Sequence, residues 1–247
     1  MKWIKHLFIG LAFYLSGPLL VAALGGIDFG GNWQTASRDS TGMAPAPEQE
    51  PRAVVQIYAG RAFGWRGVFG VHTWIATKER GANHYITHQV LGWRARYGAA
   101  AVVQQRDLPD RRWYGAEPEL LLDLRGQEAA RAIPRIYAAV ANYPHAYEYT
   151  VWPGPNSNTF TAHIARQIPE LKLDLPPTAI GKDYLAEGAL MALSPSGTGG
   201  QISLAGVAGI LVGWEEGIEF NLLGLSMGLD PLDLAIKLPG IGRLSAF

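Results

Sequence analysis

The sequence predicts an α+β fold: an antiparallel sheet with packed helices, then a β-rich C-terminal extension, behind an N-terminal membrane segment. Three observations predict it. β-Branched and aromatic runs between Ala53 and Trp93 are separated by turn residues, the mark of paired strands. Gln127 to Asn142 and Asn158 to Ile168 carry apolar residues at helical spacing. From Gly181 onward, glycine-rich apolar segments alternate with turns. Strands in mixed order with two helices indicate α+β rather than a regular βαβ alternation.

The elements follow in order. Lys2 and Lys5 precede an apolar run from Leu7 to Leu24, so residues 1–31 read as a signal anchor or a signal peptide. Spanning a bilayer takes about 17–25 residues. The run sits at the short end, Gly10, Gly17 and Pro18 interrupt it, and Val21-Ala22-Ala23 fits a cleavage site. Basic residues before the run keep the N-terminus in the cytoplasm. The domain is then expected on the periplasmic side of a bacterial inner membrane, or free in the periplasm after cleavage. Asn32 to Arg52 is polar and rich in Pro, Ser and Thr, which predicts a flexible tether over residues 32–52. The globular domain is expected over 53–247, as a core of 53–180 and an extension of 181–247.

Ala53–Tyr58 and Gly67–Lys78 are predicted strands, and Glu79–Asn83 is a turn. His84–Trp93 returns as the partner strand. Pairing about the hairpin centre puts His88 opposite or diagonal to Trp74, within about two residues of His72. Arg94–Pro118 is basic and aromatic, with short elements. Glu119–Leu124 and Tyr147–Trp152 are predicted strands. Gln127–Asn142 is a predicted helix, where Pro134 marks a kink or the true start. Pro153-Gly154-Pro155 forms a rigid turn before the second helix, which Pro169 closes.

Composition excludes several functions. Charged residues are only 17%, consistent with a large core or a surface partly facing lipid. Lys and Arg together (21) balance Asp and Glu (21), which argues against a nucleic-acid binder dependent on phosphate neutralisation. There is no cysteine, so disulfides, thiolate metal sites and cysteine nucleophiles are absent. The charge is uneven: Arg52–Arg135 holds 13 basic and 7 acidic residues, and Gly181–Phe247 holds 3 and 7. The basic half suits anionic headgroups, or is an ordinary solvated face.

One stretch concentrates chemistry. Trp152-Pro153-Gly154-Pro155-Asn156-Ser157-Asn158-Thr159-Phe160 runs from strand through turn to helix start. A hydroxyl there lies near unpaired backbone N–H groups that could hold an oxyanion. Ser157 reads either as a plain helix cap, a role that contributes about 1 kcal/mol, or as a nucleophile needing a general base. His72 is the candidate base, and His88 or His84 the group that orients it. Trp74 and Trp152, with Asn156 and Asn158, are the candidate substrate-binding residues. His84 and His88 are four apart but on a strand, which spreads them too far for one metal. No metal and no cofactor is expected. Ser196-Gly197-Thr198-Gly199-Gly200 lacks the ending of a phosphate loop and reads as a tight turn.

His72-Thr73-Trp74, Gly154-Pro155-Asn156-Ser157-Asn158-Thr159-Phe160, Ser194-Pro195-Ser196-Gly197-Thr198-Gly199 and Lys237-Leu238-Pro239-Gly240-Ile241-Gly242-Arg243 together resemble a bacterial family known only as a domain of unknown function. A strand histidine followed by a helix-start residue is also similar, more distantly, to permuted papain-like proteins: NlpC-like peptidases and lecithin retinol acyltransferase relatives. That likeness implies a papain-like core with His72 as base and Ser157 in the cysteine position. The expected function is a membrane-tethered envelope protein. It is a Ser/His hydrolase or acyltransferase on an amide or ester, or a non-catalytic protein using the same pocket for a peptide, peptidoglycan or lipid headgroup. A structural membrane protein is favoured if the C-terminal apolar segments sit in lipid.

Overall fold

The computed structural model describes residues 2–246. It is an α+β fold with two antiparallel sheets and one N-terminal apolar helix. That helix, α1 (Lys2–Leu24), continues through Pro18 and is apolar enough to cross a membrane. Such a helix fits a membrane anchor or a cleavable signal sequence. Its Gly17 lies against the second sheet, where a Cβ would stand 2.1 Å from the Pro239 carbonyl oxygen. Glycine therefore allows the close approach of helix and sheet.

The first sheet contains β1 (Val54–Arg61), β2 (Val71–Lys78), β3 (Ile86–Val90), β4 (Val102–Arg106) and β5 (Glu119–Arg125), in the order β4-β3-β2-β1-β5. A single turn, α2 (Gly92–Arg96), links β3 to β4. α3 (Gln127–Ala141) and α4 (Ser157–Gln167) cover one face. Alternation along the strands splits the side chains cleanly. Val55, Ile57 and Ile75 face the helices and pack with Ile133, Ile136, Phe160 and Ile164. Tyr58, Trp74 and Ala76 face away and pack with Tyr85 and Trp113.

α3 continues through Pro134, so of the two expected roles Pro134 does not mark the helix start. Two sequence expectations change. Tyr147–Trp152 is irregular rather than a strand, and Thr150 N–H donates to the Pro155 carbonyl across the turn. Pro153 and Pro155 lack the donors a ladder needs. Residues 32–52, expected as a flexible tether, are folded against the domain. The buried Asp110 carboxylate accepts from Ser40 Oγ (2.8 Å), Met43 N (2.7 Å) and Ala44 N (3.2 Å). Polar composition signalled weak hydrophobic burial, but a buried carboxylate organises such a chain by hydrogen bonding.

The second sheet is a meander of β6 (Met191–Leu193), β7 (Gly199–Leu204), β8 (Ala208–Gly213), β9 (Gly217–Leu222), β10 (Leu225–Asp230), β11 (Ala235–Leu238) and β12 (Gly242–Ser245). Its inward face is polar. Lys182 and Lys237, both buried, each place Nζ 2.6 Å from the Glu219 carboxylate, and Lys237 also reaches Asp174 at 2.7 Å. Burial opposes ionisation of Glu219, but the two ammonium groups outweigh it and keep its pKa below the usual carboxylate range. The Ser196–Gly200 turn folds over Glu216, whose carboxylate accepts from Ser196 N (2.9 Å) and Ser196 Oγ (2.7 Å).

Candidate functional site

The head of α4 is built by two asparagines. Asn156 is the N-cap, and its Oδ1 accepts from Asn158 N (2.9 Å) and Thr159 N (3.2 Å). Thr159 Oγ1 accepts in return from Asn156 N at 3.1 Å, closing a capping box. Asn156 Nδ2 donates to the Val151 and Ile180 carbonyls (3.1 and 3.0 Å). Gly181, at φ +99°, packs on that amide: a Cβ would lie 2.3 Å from Nδ2. Asn158 Nδ2 donates to the Val71 and Ile180 carbonyls (3.0 and 2.8 Å), and its Oδ1 accepts from Thr73 Oγ1 (3.0 Å). Both side chains therefore tie α4 to β2 and to the segment around Ile180.

Ser157 is not the cap but the first helical residue. It is buried and lines a large cavity. The helix-start amides expected to hold an oxyanion are mostly engaged. Asn158 N and Thr159 N bond to the Asn156 side chain, and Phe160 N donates to the Asn156 carbonyl at 3.0 Å.

His72 stands at the start of β2, on the face away from the helices, stacked on Trp113 with ring centroids 3.5 Å apart and planes 3° apart. Its Nε2 lies 3.3 Å from Gln89 Oε1, an oxygen that also accepts from Arg111 at 3.3 Å. Burial lowers its pKa to about 3, the Gln89 contact raises it slightly, and the Arg111 charge lowers it further. The ring is neutral and a weak base.

His88 does not orient His72. Its partner across the ladder is Ile75, one position from the expected Trp74. A one-residue change of register reverses the face, so His88 joins the helix side. There it bonds Thr77 Oγ1 (2.9 Å) and Gln104 Oε1 (3.0 Å) and meets the edge of Tyr137. Burial holds its pKa near 4. His84 is half-buried and bonds Asn83.

His72, Asn156, Ser157, Asn158 and Trp152 do share one cavity, of about 860 Å³. Trp74 does not line it; it lies behind Trp113, donating Nε1 to the Pro109 carbonyl at 2.7 Å. The wall is aromatic: Trp33, Trp65, Trp93, Trp113 and Trp152 contribute, with Phe63, Phe69 and Tyr149. Arg66 and Arg96 supply positive charge, and among the described residues no carboxylate lines the space. Sequence reasoning missed Trp65, Trp93, Trp113 and both arginines as site residues. The basic and aromatic texture of Arg94–Pro118 was the available signal, but the pocket gathers these groups from separate loops. Among the described residues no group of three or more His, Asp and Glu could hold a metal ion.

The fold and cavity define an α+β protein with one apolar N-terminal helix and an aromatic, cationic pocket. Residues 52–184, just over half of the chain, match the family described as protein of unknown function (DUF3750), and the chain belongs to that family. The matched residues include both histidine strands and the head of α4, whereas Ser194–Gly199 and Lys237–Arg243 lie beyond them. No curated protein and no solved structure matches the chain.

Proposed function

We propose that this is a non-catalytic cell-envelope protein that holds the headgroup region of an anionic lipid in its aromatic cavity. One observation carries the reading: the cavity combines aromatic walls with Arg66 and Arg96, has no carboxylate among its described lining residues, and is bordered by Leu223 and Leu225, the turn on which α1 packs. Aromatic rings suit glycerol and upper acyl segments, and guanidinium groups suit phosphate. A peptide or peptidoglycan fragment is the lesser fit, because the Asn156 and Asn158 amides are already occupied. With α1 as anchor the domain stands at the periplasmic face of the inner membrane; with α1 cleaved it is released to the periplasm.

The second reading is a Ser/His hydrolase or acyltransferase on an amide or ester. A strand histidine and a helix-start serine in one cavity support the likeness to permuted papain-like proteins. The site chemistry argues against turnover. A serine needs a competent base, whereas His72 is depressed to about 3. Binding is tested by titrating the full chain, in neutral detergent, with short-chain phosphatidylglycerol and phosphatidylcholine, following tryptophan fluorescence. The expected result is saturable binding of phosphatidylglycerol, weakened about tenfold by Arg66→Ala with Arg96→Ala. Equal response to both lipids, or no effect of the substitutions, overturns the reading.

A further inference from the structure

We propose that the outward face of the C-terminal sheet is a lipid-contacting surface that beds into the bilayer beside α1. Antiparallel sheets of water-soluble domains turn apolar side chains inward and polar ones outward. Here the order is reversed. The register places Met191, Ile202, Ile210, Phe220 and Met227 side by side in one outward row. The next outward row, from Leu193 to Leu244, crosses all seven strands without a polar side chain. Between them runs an inward row bearing Gln201, Glu219 and Lys237, all buried. Phe220 and Val212 are 52% and 51% exposed. Apolar outside with polar inside is the alternation of strands whose exterior is hydrocarbon.

The inverted pattern is compatible with a stable fold because the inward groups are satisfied: Lys182, Lys237, Asp183 and Asn221 all have hydrogen-bond partners. Among the described residues the two outward rows carry no hydrogen-bonding side chain, unlike a protein–protein interface, which makes about one hydrogen bond per 100–200 Å². It is also continuous with α1. Tyr14 Oη donates to the Leu222 carbonyl (2.6 Å) and the Leu225 carbonyl, and accepts from Leu222 N (3.2 Å). Tyr14 lies about 15 Å along the helix from Leu24. With α1 across a hydrocarbon core of about 30 Å, the β9–β10 tip sits inside it. Backbone groups there need protein partners, and Tyr14 supplies them. The edge strands β6 and β12, of 3 and 4 residues, leave little unpaired backbone.

The test does not depend on what the cavity holds. The chain has no cysteine, so single cysteines can be introduced directly. Ile210→Cys and Phe220→Cys are labelled with an environment-sensitive nitrobenzoxadiazole, with Ala130→Cys on the exposed side of α3 as control. Ile202→Cys replaces either if it fails to fold. The full chain is reconstituted in phosphatidylethanolamine–phosphatidylglycerol vesicles. The expected result is blue-shifted emission at positions 210 and 220, quenched several-fold more by doxyl-labelled lipid than at position 130, and protected from iodide. Iodide quenching equal to the control means the face is open to water and overturns the proposal. Protection from iodide without doxyl quenching means a protein, such as a second copy, covers the face, and overturns it equally.

Discussion

Asn156 provides a prediction whose sign depends on geometry. As an N-cap alone it should tolerate Asp, which caps a helix about as well as Asn. The structure gives Asn156 a second task, because Nδ2 donates to the Val151 and Ile180 carbonyls. Asp keeps the acceptor and loses both donors, turning a carboxylate oxygen toward two carbonyls. Two lost bonds at about 1 kcal/mol each, plus the cost of an opposed buried charge, give about 3 kcal/mol for Asn156→Asp. Asn156→Ala loses the cap, worth about 1 kcal/mol, and both donor bonds, again about 3 kcal/mol in all. Ile180 O retains the Asn158 amide at 2.8 Å, so only Val151 O is orphaned. For a chain of this size, about 3 kcal/mol lowers Tm by roughly 6–12 °C. The assay is thermal unfolding of the full chain in detergent, followed by tryptophan fluorescence. An Asn156→Asp variant melting with the wild type would show that capping is the whole role, and would refute the reasoning.

Two further predictions concern Ser157 in the cavity and the two buried histidines on either face of the first sheet. Fluorophosphonate should leave Ser157 unlabelled, and Ser157→Ala should change neither fold nor lipid binding; labelling of the wild type that disappears in Ser157→Ala would establish a nucleophile instead. His88 and His72 ionise near 4 and 3 in the folded chain, against an ordinary value of 6.5. Above pH 6.5 both are neutral folded and unfolded. As pH falls below it, the unfolded chain takes up protons that the folded chain refuses, and stability falls by up to about 1.4 kcal/mol per pH unit for each ring. His88→Gln should therefore show a shallower loss of Tm between pH 6.5 and 4 than the wild type; parallel curves would contradict the burial argument.

Local patterns in the sequence carried the elements that form from neighbouring residues. The apolar run of α1, the β-branched runs of β1 and β2, the alanine-rich spacing of α3, and the glycine-punctuated strands beyond Gly199 were all legible. The turn before α4 was recognisable as a helix start, though not that Asn156 takes the cap and Ser157 becomes the first helical residue. That choice depends on Val151, Ile180 and Gly181, which reach Asn156 only in the folded chain.

The sequence alone determined an N-terminal helix of membrane-spanning length, an α+β architecture and the absence of thiol chemistry. Tertiary structure decided which side of each strand faces what. Pairing His88 with Ile75 rather than Trp74 put the two histidines on opposite faces of one sheet. The alternation of Ile218, Glu219, Phe220 and Asn221 likewise names two faces without saying which is covered. Period-two patterning is symmetric between inside and outside. Here Lys182 and Lys237 broke the symmetry by drawing Glu219 inward, and the apolar row was left to face outward.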